Sequence, residues 1–399
     1  MTDRTSTVQA EWLERYDTSY MHNFGSPTRV LTRGEGCRVW DVEGREYLDL
    51  LAGIAVNSLG HAHPDVVAAV TDQVATVVHI SNLFTSPWQV ELAERLDALV
   101  TANAPGTPSR VFLCNSGSEA NDTGFKLTRR TGRTKIVAME GSFHGRTLGA
   151  VSLTAKAAYR EPFEPLPGGV VFVPYGDEAA LAEAVDDETA AVVLETIQGE
   201  SGIIVAPEDF LRAARRITDQ HGALLWVDEV QTGIARTGEW LSYLPSGITP
   251  DVVTLAKGLG AGIPIGACIA TGPAAELLGP GSHGSTFGGN PLASRAGLTV
   301  LDVIERDGLL QHVREVGDHL EAAVVALGHP DIVGVTGAGL LRGIVLTRDI
   351  APAVSARALE AGFIINAPRP NRLRIAPPLI ITTSEIDSFV AALPTLLEG

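Results

Sequence analysis

Short apolar runs alternate with longer amphipathic stretches through the middle of this chain. The runs Arg110–Cys114, Lys135–Met139, Val170–Val173, Ala190–Leu194, Ala223–Val227 and Asp251–Leu255 are apolar at consecutive rather than alternate positions. That pattern predicts strands buried on both faces. Between them lie stretches such as Glu208 to His221, with apolar residues three or four apart, which predict crossover helices over a parallel, doubly wound sheet. Further helices are predicted from Pro64 and over Trp88–Val100. Near the start, Arg38–Asp41 and Glu46–Leu50 flank a turn at Val42–Arg45 that contains glycine, the pattern of a hairpin.

After Pro291 the order changes. Long helices are predicted over Leu292–Ile304 and Leu309–Leu327, followed by strands mixed with a helix at Ala353–Ala361. The expected organisation is therefore an N-terminal arm and hairpin over 1–63 that packs with the small domain, a large α/β domain over 64–290, and a small α+β domain over 291–399. The 42 glycines and 23 prolines are scattered as punctuation between elements rather than gathered in a linker.

Composition narrows the partners. Of 399 residues 45% are hydrophobic, which excludes disorder, and 30 basic against 47 acidic side chains leave a formal charge of -17. Polyanion binding draws on clustered Lys and Arg, and the densest cluster here, Lys126, Arg129, Arg130, Arg133 and Lys135, reads as a solvated helix end. No nucleic-acid partner is expected. Cys37, Cys114 and Cys268 are too few and too scattered for a disulfide framework and suit a reducing compartment. Met1–Tyr20 is polar, and no apolar run has the length of a membrane span. The expectation is a soluble cytoplasmic protein without a membrane partner. His61 and His63 lack a third ligand at suitable spacing, so no metal is expected. Gly337–Gly343 is one residue too long for a dinucleotide fingerprint and reads as a turn and strand.

Ligands of open α/β sheets sit beyond the carboxyl ends of the strands, so the residues just after each run are the informative ones. Arg110–Cys114 leads into Asn115-Ser-Gly-Ser-Glu-Ala-Asn121, small residues entering a helix whose free amides suit an anion such as phosphate. A serine-capped loop would look the same. Ala223–Val227 delivers Asp228-Glu-Val-Gln231, and Asp251–Leu255 delivers Ala256-Lys257-Gly258. A turn cap and a surface lysine are the ordinary readings of Asp228 and Lys257. Together with a phosphate cup they match what pyridoxal phosphate requires: a lysine for the Schiff base and a carboxylate that keeps the pyridine nitrogen protonated. Phe143, in Gly141-Ser-Phe-His-Gly-Arg-Thr147, is placed to lie against such a ring, with Arg146 free for a carboxylate.

These residues resemble the class III (ornithine-type) aminotransferases of fold type I. The likeness runs over nearly the whole chain, from Arg33–Gly36 and Gly60–Pro64, through Asn115–Asn121, Gly141–Thr147, Glu195–Glu200, Asp228–Gly233 and Leu255–Gly260, to Gly284–Pro291 and Leu373–Pro378. It implies an α/β fold with a large, mostly parallel, doubly wound domain and a smaller α+β domain. It makes Lys257 the Schiff-base lysine, Asp228 the partner of the pyridine nitrogen, Gln231 a contact to the ring hydroxyl, and Gly117 and Ser118 the phosphate cup. Phe143, Glu229 and Val230 join them as cofactor contacts.

The same likeness implies a homodimer with shared sites, Thr286 reaching the phosphate of the neighbouring subunit and Ser285 lying at the substrate. Arg374 would bind the α-carboxylate of glutamate or 2-oxoglutarate, a role for a planar bidentate donor. Glu200 would pair with Arg374 while the amine donor is bound and swing away for the dicarboxylate. Arg146 would hold the α-carboxylate of N-acetylornithine, and Ser81, Asn82 and Phe84 would line the distal pocket. The implied reaction moves the distal amino group of N-acetylornithine to 2-oxoglutarate by a ping-pong route. Ornithine, succinylornithine, a succinylated diaminopimelate and 4-aminobutyrate are the alternative donors. A decarboxylase or aminomutase would need no alternation with a dicarboxylate, and a cofactor-binding regulator would need a DNA-binding domain. Two positions depart from the family pattern: Ala235 and Ser201 stand where glycine is common.

Overall fold

The computed structural model describes residues 7–207 and 209–398; Met1–Ser6, Glu208 at the start of one predicted helix, and Gly399 lie outside the described residues. Seven strands form the central sheet, in the order Ser109–Cys114, Gly266–Thr271, Val252–Leu255, Leu224–Asp228, Thr189–Leu194, Lys135–Met139, Val170–Val173. Gly266–Thr271 runs antiparallel to both neighbours, and the other pairings are parallel. Thr189–Leu194 and Val252–Leu255 are buried at every position, the signature of a sheet covered on both faces.

Every predicted central strand is present within a residue or so, and one more was not predicted. Gly266–Thr271 reads Gly-Ala-Cys-Ile-Ala-Thr, with little of the β-branched and aromatic content that marks strands. Its small residues have a packing cause: a Cβ at Gly266 would sit 2.5 Å from the Ser116 carbonyl oxygen. The helix Gly117–Arg129 presses onto the same sheet, and a Cβ at Gly124 would meet the buried Trp226 ring at 2.6 Å. This contact fixes how closely the helix, and the loop leading into it, approach the strand ends.

A second, antiparallel sheet joins Ile332–Ala338, Leu341–Leu346, Arg372–Ile375 and Asn366–Arg369. Gly337–Gly343 is the turn of its first hairpin and the strand that follows. A third sheet takes Leu31–Glu35, Arg38–Asp41 and Glu46–Asp49 from the start of the chain and adds Phe363–Ile364 in parallel to Glu46–Asp49. Leu31–Glu35 is polar and largely exposed, which is why no strand signal marks it. Ala235 sits fully buried with φ of 67°, in the left-handed region that favours glycine.

Candidate active site

Four strand ends and one helix start converge on a cavity of about 360 Å³. Gly117 and Ser118 open the helix Gly117–Arg129, whose N-cap Ser116 accepts from Glu119 N at 3.2 Å. First-turn amides have no partner inside a helix, and here they border the cavity. The nearby Glu119 carboxylate is engaged by Asn115, at 3.1 Å from its amide and 2.8 Å from its side chain.

Asp228 ends the Leu224–Asp228 strand and is almost fully buried. Three donors from three parts of the chain hold it: His144 Nδ1 at 2.7 Å and Asn121 Nδ2 at 2.8 Å on one oxygen, Val230 N at 2.9 Å on the other. Burial works against a charged His144, but the hydrogen bond and charge of Asp228 outweigh it, so its pKa is raised. Glu195, just beyond the Thr189–Leu194 strand, accepts from Phe143 N at 3.0 Å. Burial pushes its carboxyl up to about 7, against the opposing charge of His144 and with the help of Asp228.

Lys257 follows the Val252–Leu255 strand and lines the cavity, half-buried, with φ of 38°. A non-glycine residue there stores backbone strain, a feature concentrated at functional sites. Burial and Arg374 lower the Lys257 pKa, against the pull of Asp228, Glu200 and Glu195. Phe143, Val230 and Gln231 complete the lining. Asn121 Oδ1, His144 Nε2 and Gln231 Oε1 are buried without a partner among the described residues, and all three residues line this cavity. Orphaned polar atoms around an anion-ready helix start, a fixed carboxylate and a lysine of lowered pKa are what a small polar cofactor would satisfy. These residues fit pyridoxal phosphate.

Beyond Phe143 lies a second cavity of about 420 Å³, which Glu200 and Tyr159 also line. Arg374 is 1% exposed; its Nη1 donates to Glu200 Oε1 at 2.7 Å and its Nε to Asn366 Oδ1 at 3.0 Å. Burial would raise Glu200, but Arg374, with Lys257 and Arg146 behind it, holds the carboxylate below its usual range. The exposed Arg146 guanidinium stacks 3.5 Å from the Tyr159 ring centroid and 5.6 Å from that of Phe143.

Not every predicted residue meets at this place. The Glu229 carboxylate points elsewhere, accepting from Thr232 and Ser242 hydroxyls at 2.6 Å each and Tyr243 N at 3.0 Å. Burial raises its pKa. Ser285 and Thr286 stand apart from the first cavity: Ser285 accepts from Asn115 Nδ2 at 2.9 Å, its carbonyl accepts from Asn82 Nδ2 at 2.8 Å, and Thr286 is exposed. His61 is engaged by Asp49 at 2.8 Å, and among the described residues no group of three or more His, Cys, Asp or Glu side chains could hold a metal. Asn121, His144 and Glu195 were not singled out as site residues. Glu195 obeys the strand-end rule that found Asp228 and Lys257, and that signal was there to use.

The family model "Aminotransferase class-III" matches residues 20–397. An acetylornithine aminotransferase of Mycobacterium leprae (strain TN) is 55% identical over 395 residues, 99% of this chain and 97% of that one. Among solved structures, the ornithine aminotransferase of Toxoplasma gondii ME49 superposes with a TM-score of 0.92 at 30% identity, covering 98% of this chain and 95% of that one. The N-acetylornithine aminotransferase of Stenotrophomonas maltophilia K279a gives 0.82 at 34% identity, covering 97% and 98%.

Proposed function

This chain belongs to the class-III aminotransferases, enzymes that depend on pyridoxal 5′-phosphate, and from that premise we propose that it transfers the distal amino group of N-acetylornithine to 2-oxoglutarate. The products are N-acetylglutamate 5-semialdehyde and glutamate, a step of arginine biosynthesis that we place in the cytoplasm, where three buried free cysteines stay reduced. The observation that carries the reading is the Arg374–Glu200 pair at 2.7 Å beside Lys257. An arginine that one neighbouring glutamate can neutralise serves an enzyme that must bind a carboxylate there in one half of its cycle only.

When bound, pyridoxal phosphate supplies the electron sink that makes the hydrogen on the amine-bearing carbon acidic. Gly117 and Ser118 would hold the phosphate on their amides, and Phe143, Val230 and Gln231, which line the same cavity, would contact the ring. Asp228, immobilised by His144, Asn121 and Val230 N, would present its carboxylate to the ring nitrogen. Lys257 Nζ would take the proton from the amine-bearing carbon, and its lowered pKa brings it closer to neutral pH, where a base is effective. Arg146 takes the α-carboxylate of acetylornithine while Glu200 covers Arg374. In the second half Glu200 turns away and Arg374 takes the α-carboxylate of 2-oxoglutarate.

The working unit in this reading is a homodimer with shared sites. Leu83, Phe84 and Phe287 are 86%, 70% and 61% exposed, and the Asn82–Ser285 hydrogen bond ties their two segments together. Large apolar side chains gathered on a surface mark an interface. Thr286, exposed on the same segment, would then complete the partner's phosphate site.

Catalytic efficiency measured side by side on acetylornithine, ornithine, succinylornithine, the succinylated diaminopimelate and 4-aminobutyrate, each with 2-oxoglutarate, tests the donor. Acetylornithine is expected to lead, and dominance of unacylated ornithine would overturn the assignment. Lys257→Ala is expected to lose both turnover and the visible absorbance of lysine-bound cofactor.

A further inference from the structure

Ser201 follows Glu200 in a turn framed by Gly199 and Gly202. Its hydroxyl donates to the Gly141 carbonyl at 2.7 Å and accepts from Arg369 Nη2 at 3.2 Å. Gly141 lies two residues before Phe143. Arg369 ends the strand that pairs with Arg372–Ile375, the strand bearing Arg374. One hydroxyl thus joins three pieces: the loop behind Phe143, the turn that carries Glu200, and the hairpin that carries Arg374.

The contact with Gly141 is close. A Cβ at Gly141 would lie 2.5 Å from Ser201 Oγ, and Gly141 has φ of 78°, so only glycine fits opposite the serine. Without the hydroxyl the turn keeps two backbone hydrogen bonds of its own, Gly202 N to Gly199 O and Ile203 N to Gln198 O, each 3.1 Å. Neither anchors it to the Phe143 loop; Gln198 Nε2, which donates to the Glu140 carbonyl at 2.8 Å, ties the start of the turn there, and the Ser201 hydroxyl supplies the tie next to Glu200. With glycine on both sides of the Glu200–Ser201 pair, the backbone has freedom that local bonds alone restrict weakly. Of the serine's own two bonds, the partly buried one to Gly141 matters more than the exposed one to Arg369.

We propose that Ser201 is a specificity-determining positioning residue, whose hydroxyl clamps the turn so that Glu200 returns to Arg374 in one geometry and thereby sets the balance between amine donor and dicarboxylate. This rests on the switching role proposed above for Glu200. The serine touches no substrate, and its effect passes through Glu200.

The test uses the holoenzyme with Ser201→Ala, Ser201→Thr, Glu200→Ala and the double variant Glu200→Ala/Ser201→Ala, each half reaction followed separately and each thermal midpoint recorded. Ser201→Ala is expected to raise KM for acetylornithine and lower it for 2-oxoglutarate, moving the ratio about two- to ten-fold, the size of one net hydrogen bond, with kcat little changed. Ser201→Thr, which keeps the hydroxyl, restores the ratio. In the double variant, loss of the serine adds nothing to loss of Glu200. An unchanged ratio in Ser201→Ala while Glu200→Ala shifts it overturns the clamp alone. The same serine effect with and without Glu200 also overturns it. A ratio that Glu200→Ala leaves untouched removes the switch and the clamp together.

Discussion

Asp228 and Glu200 are two carboxylates on neighbouring cavities that share Phe143 as a wall, and they are held in opposite ways. Asp228 is 3% exposed and takes hydrogen bonds from a helix, a loop and its own turn. The Glu200 side chain is 38% exposed and, among the described residues, has one side-chain partner, Arg374. A group needed unchanged in both halves of a cycle gains from being over-determined. A group that must alternate gains from a single bond that water can replace. The difference teaches that rigidity in this site is distributed by task rather than by distance from the reacting atoms.

The sharpest way to break the comparison is Asp228→Asn, which keeps shape and removes charge. Turnover should fall about 100- to 1,000-fold, the range seen when a fixed electrostatic contact is lost, with the thermal midpoint little affected. Stopped-flow measurement of the first half reaction checks it. A loss below ten-fold would mean that the anchored carboxylate is structural.

Glu200→Ala should act more mildly and on recognition. Arg374, no longer covered, would favour dicarboxylates in both halves, raising KM for the amine donor about ten-fold, a figure already discounted for the exposure of the pair. Comparing steady-state KM for both substrates reads this out. A collapse of kcat comparable to that of Asp228→Asn would erase the distinction between the two carboxylates.

The rigid side also predicts a pH effect in the cofactor-free chain. Glu195 has a carboxyl pushed up to about 7 by burial, so between its unfolded value and 7 the folded chain holds more protons than the unfolded one. Stability from this group is then present at low pH and lost as pH rises through about 7. Glu195→Gln stays neutral throughout, and the thermal midpoint of the variant should gain on the wild type from pH 5 to pH 8. A difference that is flat with pH would leave Glu195 without the buried, proton-holding role.

Ala235→Gly should do least. Relief of a left-handed alanine gains about 1 kcal/mol, while losing a buried methyl and freeing the unfolded backbone costs about as much. A chemical-denaturation midpoint within error of the wild type is expected, which would show that this departure from glycine is a neutral exchange.

How much of this was readable beforehand depended on where the cause lay. Continuous apolar runs announced the parallel strands because burial on both faces is written in consecutive residues. Gly266–Thr271 stayed silent because its residues answer to the Ser116 backbone across from it, a partner some 150 residues away, and no local window carries that. Asp228 and Lys257 were found because strand ends are privileged places. Glu229 entered only through the family resemblance, yet successive side chains at a strand end point to opposite faces, and the neighbour of an inward aspartate turns to Thr232 and Ser242 instead. Arg374 and Glu200 meet from distant stretches of chain, and only the family resemblance connected them.

The parallel pairing of Phe363–Ile364 with Glu46–Asp49 has a consequence for the growing polypeptide. As the chain leaves the ribosome, the first hairpin must wait for roughly 300 further residues, or roughly 15 to 60 seconds at about 5–20 residues per second, before its outer strand acquires a neighbour. Through that interval the strand offers an open edge to other nascent chains. Arg38, Arg45 and Glu46 lie on or beside it, and such charges are the usual guard of an edge left waiting. A stretch made late in synthesis closes one made early, so a product truncated before Phe363 would be left with that edge exposed.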